Sequence, residues 1–316
     1  MIARALPRSM KYAGVVAALL GLALLPLWVS NPYFLSVLTL AALYAIFASS
    51  WDILSGYIGQ FNFGHAAFFG AGAYATGFLA PHIPVALVFA AGALAAAAFA
   101  LLMGLPCLKL RGPYLSLTTL VFPLILERLA FTFRDITGGE YGLTIASPLS
   151  RIGLYYASLV LLAATLAVLL AVADSRIGRT FRAIGDDDQA AMAAGINTTR
   201  YKLGAFVLGA TLAGLGGVLY SYHLRHVGPE MFGLFTSFQI VIMGVVGGTG
   251  TILGPAIGAY FLTLLGESLR EIETFRILIY SGVLILCVML FPRGLWGLGA
   301  IVGKLVSRAP SPGAAR

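Results

Sequence analysis

Long apolar runs, separated by short polar connections, dominate the sequence. The runs are apolar on every side, whereas membrane β-barrels alternate apolar and polar positions, and most runs reach the roughly 17 to 25 residues that a helix needs to cross a bilayer. The pattern predicts an all-α transmembrane bundle of about ten spans, of which the eighth and ninth are short and broken by glycine. The predicted spans cover residues 12–29, 34–54, 64–80, 85–106, 115–133, 153–173, 203–223, 234–248, 252–266 and 275–291.

The composition agrees with this pattern. Charged residues make up 10% of the 316 residues and hydrophobic residues 59%, whereas a soluble domain carries roughly a quarter charged residues. A soluble protein is therefore excluded, and we interpret residues 1–316 as a single transmembrane domain. The first run follows a basic start, as in a secretory signal, but it is long enough to span a bilayer, so we interpret it as a retained first helix.

The positions of the lysines and arginines indicate the orientation in the membrane. With a cytoplasmic N-terminus, fourteen of these residues fall in inside connections and five in outside ones, which is the bias that the positive-inside rule describes. We therefore expect residues 1–11, the loop 174–202 and the tail 293–316 on the cytoplasmic side of the membrane. The net charge of +8 reflects this topology, and we expect no nucleic-acid partner.

The loop 174–202 contains a compact charged segment, "RTFRAIGDDDQAAMAAGIN" (179–197). Its aspartates can cap a helix by accepting backbone N–H bonds, the alanines favour a helix, and Gly195 is a natural C-terminal stop. The sequence predicts a short helix over about 188–194. Because such a helix is too short to be stable alone in water, we expect another element or partner to dock against it.

Glycines cluster around the eighth and ninth spans. Gly247, Gly248 and Gly250 form a predicted turn between two short helices, an arrangement common where a transport path crosses a membrane. Gly250, Gly254 and Gly258 are four residues apart, which would place them on one helix face and allow close helix packing. No Lys-Ser or Lys-Thr pair follows "GGTG", so we do not expect a phosphate-binding loop.

The segment "SGYIGQFNFGH" (55–65) is polar, yet it carries no charge unless His65 is protonated. Gln60, Asn62 and His65 could form hydrogen bonds within a membrane-buried bend. Two interpretations stay open at this point. The three side chains either satisfy an irregular backbone or line the path of a substrate that carries carboxylate or amine groups.

Few ionisable residues fall inside the predicted spans. Asp52 lies near the inner end of the second span, and Glu127 and Arg128 lie toward the outer end of the fifth, where we expect snorkelling or simple ion pairs. No carboxylate near the middle of the membrane suggests a proton relay. We also expect no metal site in the small cluster of potential ligands on the outer side, which comprises His223, His226 and Glu230.

Several sequence blocks resemble one family of membrane proteins. The segment "QAAMAAG" (189–195) is similar to the EAA-x-x-x-G core of the coupling loop of ABC importer permeases, with Gln189 in place of the usual glutamate. Five further blocks are "GQFNFGHAAFFGAGAYATGFL" (59–79), "LRGPYLSLTTLVFPLILERL" (110–129), "TGGEYGL" (137–143), "LAGLGGVLYS" (212–221) and "GVVGGTGTILGPAIGA" (244–259). Together, and in this order, the blocks resemble the permeases of branched-chain amino acid ABC importers of the LivM type over roughly residues 35 to 297.

The resemblance implies a translocation subunit without catalytic activity. ATP and Mg would bind to two separate cytoplasmic ATPase subunits, so we expect no cofactor in this chain. The resemblance also implies a second homologous permease subunit, giving a heterodimer, and a soluble protein that delivers substrate. The residues implied in ATPase coupling are Arg179, Arg182, Asp186, Asp187, Asp188, Gln189, Ala190, Ala191 and Gly195. An importer of urea or short-chain amides stays open, as does, from another class, an ion-gradient-driven secondary transporter or channel.

Overall fold

The computed structural model of the chain describes residues 8–28, 31–108, 110, 112–270, 281–282, 285–286, 289 and 294–297. Its helices are α1 (Arg8–Trp28), α2 (Pro32–Ser55), α3 (Ala66–Leu79), α4 (Val85–Cys107), α5 (Pro113–Thr132), α6 (Arg134–Thr137), α7 (Arg151–Asp174), α8 (Arg176–Asp186), α9 (Asp188–Ala193), α10 (Thr198–Leu224), α11 (Leu234–Gly247) and α12 (Leu253–Ser268). Two short strands, β1 (Leu143–Thr144) and β2 (His226–Val227), pair in an antiparallel ladder, and 3-10 turns lie at Gly139–Tyr141 and Pro229–Phe232.

A helix occupies each of the first nine predicted spans, which confirms the helical membrane bundle. Five helices, α2, α4, α5, α7 and α10, are long and apolar enough to cross a membrane. Helices α3 and α11 have 14 residues and α12 has 16, or about 21 to 24 Å at 1.5 Å per residue. Most of the tenth predicted span and of the tail 293–316 lies outside the described residues. The β ladder is an addition that the all-α prediction did not contain.

Hydrogen bonds between α1 and α7 define the two ends of the bundle. The Tyr12 hydroxyl donates to Asp174 Oδ2 (3.0 Å), and the Tyr155 hydroxyl donates to the carbonyl of Leu22 (2.6 Å). The start of α1 therefore lies beside the end of α7, and the two helices are antiparallel. Because α8 and α9 follow α7, they lie at the same end as the start of α1. We call this end the α8 face, and the opposite end, which carries β1 and β2, the β-ladder face.

Helix α2 runs through the centre of the bundle from the β-ladder face to the α8 face. Near its start, Ser36 Oγ lies 3.3 Å from His223 Nε2 of α10. Its Phe47 and Trp51 side chains are fully buried, and it packs against α7, α10, α11 and α12. The long helices α4 and α5 instead turn apolar side chains such as Leu94 outward, as expected for helices that face lipid.

Helices α3 and α10 cross so closely that only glycine fits at the contact. A Cβ atom at Gly72 would lie 2.0 Å from the carbonyl oxygen of Gly214, and one at Gly217 would lie 2.1 Å from the carbonyl oxygen of Phe69. Close approach of this kind increases van der Waals contact between helices, which drives association where no hydrophobic effect operates.

We predict that Gly217→Ala lowers the melting temperature of the protein in detergent micelles, because the added methyl group must push α3 and α10 apart. Overpacking costs about 1–3 kcal/mol. The matched control is Gly204→Ala on the same helix, where a Cβ atom meets nothing within 4 Å and alanine favours the helix. A Gly217→Ala variant that melts at or above the temperature of Gly204→Ala would contradict this packing.

Candidate functional site

A fully buried carboxylate holds the turn between α11 and α12. Asp52 Oδ1 accepts a hydrogen bond from the backbone N–H of Gly250 (2.7 Å), and Asp52 Oδ2 accepts one from the N–H of Ile252 (2.8 Å). Within the described residues, no Lys or Arg forms an ion pair with Asp52. The expectation of snorkelling at Asp52 is therefore wrong, because the carboxylate is fully buried and backbone N–H groups supply its partners.

The same carboxylate compensates a strained residue. Ile252 has a φ of +64° and a ψ of −48°, and the N–H of Leu253 donates to the carbonyl of Thr251 (2.8 Å); this is the rare, strained γ-turn, which is unusual for a β-branched side chain. Its N–H donates to Asp52, and its carbonyl accepts a hydrogen bond from Ser49 Oγ (3.0 Å). One turn of α2 thus fixes both polar groups of the strained residue.

The turn 248–252 joins two short helices, as its glycines predict. Gly248 and Gly250 both have positive φ, at +116° and +75°, conformations that glycine adopts without the penalty of a side chain. Gly247 is the last residue of α11. A Cβ atom there would lie 2.0 Å from the carbonyl oxygen of Gly254, so the two helices meet backbone to backbone at the turn.

The predicted glycine stripe is wrong at one of its three positions. Helix α12 begins at Leu253, so Gly250 lies in the turn before it and cannot share a helix face with Gly254 and Gly258. Gly258 does lie at a close helix contact, since a Cβ atom there would be 2.1 Å from the carbonyl oxygen of Met243 in α11. The spacing of the glycines suggested that the helix begins at Gly250. The positive φ values of Gly250 and Ile252 instead delay its start until Leu253.

The segment 56–65 folds back along the last turns of α2. Trp51 Nε1 donates to the carbonyl of Asn62 (2.7 Å), and Ser50 Oγ lies 3.0 Å from His65 Nε2. Ser50 lies five residues before the last residue of α2, a rise of about 7.5 Å. Helix α3 therefore begins inside the bundle rather than at its surface, which explains why it is short.

The three polar side chains predicted in this segment have different surroundings. Asn62 is buried and its Oδ1 accepts a hydrogen bond from the N–H of Gly64 (2.8 Å). His65 is buried and stacks on Phe47 with ring centroids 5.2 Å apart. Gln60 Oε1 is buried without a hydrogen-bond partner among the described residues. Asn62 and His65 thus satisfy local structure, and Gln60 keeps one free acceptor.

Helix α5 supports the other side of the segment. Ser116 Oγ donates to the carbonyl of Phe61 (2.8 Å), and Thr119 Oγ1 accepts a hydrogen bond from the N–H of Phe63 (3.2 Å). Irregular backbone at membrane depth is tolerated only where the protein satisfies its polar groups. Side chains of α2 and α5 do this for residues 61–63.

The charged loop forms two consecutive helices at the α8 face. Asp187 caps α9 by accepting hydrogen bonds from the N–H groups of Gln189 (2.8 Å) and Ala190 (3.0 Å). Gly195 follows the helix with a φ of +84°. The predicted capped helix over about 188–194 is confirmed as α9, Asp188–Ala193.

Helix α8 was not predicted, although the sequence contains its signals. Ser175 caps it by accepting hydrogen bonds from the N–H groups of Ile177 and Gly178. Phe181 and Ile184 are both buried, and their spacing of three residues places them on one helix face. The serine cap followed by this apolar spacing would have indicated an amphipathic helix.

One face of helix α9 packs against the rest of the bundle. Lys202 Nζ of α10 bonds Asp188 Oδ2 at 2.7 Å, with the lysine side chain only 3% exposed, and Ala191 is buried. The other seven residues of the predicted coupling set are exposed. The exposed positions are Arg179, Arg182, Asp186, Asp187, Gln189, Ala190 and Gly195.

Helix α8 packs on the linker 56–59 that follows α2. Arg182 Nη2 donates to the Tyr57 hydroxyl (3.2 Å), and the guanidinium carbon lies 4.9 Å from the centroid of the Tyr57 ring. A Cβ atom at Gly185 would lie 2.6 Å from the carbonyl oxygen of Tyr57. Burial raises the pKa of the Tyr57 hydroxyl, so the hydroxyl stays protonated at neutral pH.

The linker 56–59 also touches the turn 248–252 on its other side. A Cβ atom at Gly250 would lie 3.1 Å from the carbonyl oxygen of Gly56, and one at Gly56 would lie 2.3 Å from the N–H nitrogen of Gly250. The structure therefore brings the charged loop, the linker and the glycine turn into one continuous contact.

The predicted cluster of potential metal ligands on the outer side does not come together in the structure. His226 Nε2 lies 3.5 Å from Glu230 Oε1, whereas His223 contacts Ser36. Within the described part of the chain, no group of three His, Cys, Asp or Glu side chains is arranged to hold a metal ion. Glu127 is half-buried and Arg128 exposed near the end of α5.

We predict that Asp52→Asn destabilises the protein by roughly 2–3 kcal/mol, because an amide can accept from only one of the two N–H groups and loses the charge. The measurement is the melting temperature in detergent micelles. The control is Asp135→Asn, which changes an exposed carboxylate of α6 in the same way. Equal melting temperatures for the two variants would rule out the assigned role of Asp52.

Comparison with known proteins places these features within one family. The family described as the permease component of the branched-chain amino acid transport system matches residues 33–292, from the second residue of α2 to beyond the end of α12. The chain is 28% identical over 312 residues to the high-affinity branched-chain amino acid transport system permease protein LivM of Salmonella typhimurium, covering 87% of this chain and 73% of that protein.

Two further relatives extend the comparison. LivM of Escherichia coli K12 is 29% identical over 312 residues, covering 86% of this chain and 73% of that protein. LivH of Escherichia coli K12, also a high-affinity branched-chain amino acid transport system permease protein, is 31% identical over 137 residues, covering 42% of this chain and 44% of that protein. The similarity to LivM therefore spans most of the chain, and that to LivH spans less than half. No solved structure matches the chain.

Proposed function

Because the chain belongs to the permease family of branched-chain amino acid transport systems, we propose that it translocates branched-chain and other hydrophobic amino acids as the membrane subunit of an ATP-driven importer. A soluble binding protein delivers the substrate. The observation that carries this mechanism is the continuous contact from α8 through the linker 56–59 to the turn 248–252. Through this contact, an ATPase bound at the charged loop is physically connected to the short helices α11 and α12.

The proposed orientation places the α8 face in the cytoplasm. Residues of this face include the basic side chains Arg176, Arg179, Arg182, Arg200 and Lys202, in keeping with the positive-inside rule. Ten spans with the tenth at 275–291 would return the C-terminus to the same side as the N-terminus. The protein then lies in a bacterial inner membrane with the β ladder outside.

The chain carries one coupling segment, so two ATPase subunits require a second permease. Similarity to both LivM and LivH supports a related but distinct partner, and hence a heterodimer. ATP and Mg bind to the ATPase subunits, and this chain is a non-catalytic subunit of the assembly. The exposed face of α9, with Gln189 and Ala190 outward, is the docking surface for one ATPase.

The proposed motion begins when nucleotide-driven closure of the ATPases displaces α9 and α8. Arg182 transmits the displacement to Tyr57, and the linker transmits it to the turn 248–252, which Asp52 holds against α2. The path for substrate lies beside the two segments that break the helices. Its candidate residues remain Gln60, Asn62, His65, Gly247, Gly248 and Gly250.

The function is tested with the complete transporter in proteoliposomes. We expect uptake of labelled leucine that requires ATP, the binding protein and both permeases, and that unlabelled isoleucine and valine inhibit. Competition by urea or acetamide instead of these amino acids would favour the amide importer. Uptake by this chain alone, driven by an ion gradient without ATP, would overturn the proposal in favour of a secondary transporter.

We predict that Ala190→Asp abolishes co-purification of the ATPase subunits, because it adds a charge to the exposed face of α9. Acidic residues suit the first turn of a helix, so α9 itself should persist. The matched control, Ala146→Asp, adds the same charge to an exposed position at the β-ladder face and should retain the ATPases. Retention by both variants would place ATPase docking elsewhere.

We predict that Arg182→Ala uncouples the transporter, giving roughly tenfold less leucine uptake per ATP hydrolysed, because it removes a hydrogen bond and a cation–π contact with Tyr57 worth about 1–2 kcal/mol. The ratio of uptake to phosphate release measures this. Arg176→Ala, on the same helix and exposed, should leave the ratio unchanged. An unchanged ratio in Arg182→Ala would exclude the route through the linker.

A further inference from the structure

A cavity of about 360 Å³ opens at the β-ladder face between the start of α2, the start of α7 and the end of α10. The residues that line it are Pro32, Tyr33, Ser36, Thr39, Arg151, Leu154, His223 and Arg225. The helices α2, α7 and α10 that supply these residues pack against one another. The size of the cavity suits a small solute.

Two arginines supply positive charge to the cavity. Among the described residues Arg151 and Arg225 line it and no carboxylate does, and neither arginine forms an ion pair with another described residue. Arg151 is the first residue of α7, where the helix dipole disfavours a positive charge. An anion between the two guanidinium groups would offset that unfavourable placement.

The backbone of Arg225 gives a second, independent observation. This residue has a φ of +58° and ends α10 in the left-handed conformation, a position where glycine is the usual residue because it avoids the steric penalty of a side chain. Its carbonyl accepts a hydrogen bond from the N–H of Ile145 (3.2 Å), which ties it to the β ladder. Backbone strain of this kind concentrates at functional sites.

The floor of the cavity supplies hydroxyl and imidazole groups. Ser36 Oγ lies 3.3 Å from His223 Nε2, and Thr39 is buried one turn deeper on α2. The Ser36 hydroxyl and an arginine fork together match the oxygen atoms of a carboxylate, which accept several hydrogen bonds at once.

We propose that this cavity binds the carboxylate of an amino acid between Arg151 and Arg225 at the β-ladder face. The inference rests on the proposed function, since it takes the released cargo as the ligand. The guanidinium groups hold the carboxylate, and Leu154 leaves part of the wall apolar for the side chain.

The test measures binding of labelled leucine to the complete transporter in nanodiscs of phosphatidylcholine, without binding protein or nucleotide. We expect Arg151→Gln and Arg225→Gln each to weaken binding about tenfold or more, because each removes a charge-assisted pair, and Arg225→Lys to restore part of the affinity. Arg134→Gln, which changes an exposed arginine of α6 outside the cavity, should bind like the wild type. Leucinamide, which lacks the carboxylate, should compete weakly.

Arg225→Gly separates binding from folding. Glycine relieves the left-handed backbone, so this variant should melt at or above the wild-type temperature without ligand and yet lose leucine binding. A variant that melts lower and keeps its affinity would assign Arg225 a structural role and overturn the proposal.

Three further outcomes would also overturn it. Leucinamide could compete as well as leucine, an anionic phospholipid could displace leucine from the wild type, or the arginine variants could bind leucine as tightly as the wild type and differ from it only in how leucine uptake depends on the concentration of binding protein. ATP-driven leucine uptake by the wild type is measured alongside. Intact uptake with unaltered binding in all variants refutes the cavity alone, whereas absent wild-type uptake refutes the proposed function.

Discussion

A backbone N–H that leaves a helix at membrane depth needs a partner inside the protein, and this requirement governs the centre of the structure. The turn between α11 and α12 meets it through the Asp52 carboxylate, which accepts from the N–H groups of Gly250 and Ile252. An unpaired buried carboxylate and unpaired buried N–H groups are each costly, and bringing them together removes both costs. The two broken helices are possible because α2 places this one side chain between them.

Helix α2 also supplies hydrogen-bond partners to the second irregular segment, residues 56–65. In its sequence "SSWDILS" (49–55), five of the seven side chains form hydrogen bonds with the turn or with the fold-back segment. Ser49 and Asp52 bond the turn 248–252, whereas Ser50, Trp51 and Ser55 bond residues 60–65. Two turns of one central helix therefore fix both irregular segments relative to each other. A displacement of either segment must break these bonds or carry the other with it.

Sequence patterns predicted the helices whose signals are local. The apolar runs gave the spans, and the aspartate cap with Gly195 gave α9, because hydrophobicity and capping act within a few residues. The partner of Asp52 could not be read in this way, since Gly250 lies 198 residues away. The glycine spacing misplaced Gly250 because periodicity does not report the φ values that end a helix. Helix α8 was within reach, as its Ser175 cap and buried Phe181 and Ile184 are local signals too.

The position of α2 connects the two ends of the molecule. Its first turns contribute Ser36 and Thr39 to the cavity at the β-ladder face, and its last turns contribute Asp52 to the turn near the α8 face. A ligand and a motor can influence each other only through an element whose arrangement both of them bias. Because α2 packs against α7, α10, α11 and α12 at once, a shift of α2 within this packing changes the cavity walls and the glycine turn together. In the proposed mechanism, substrate arrival at one face and ATPase closure at the other act on this one shared helix.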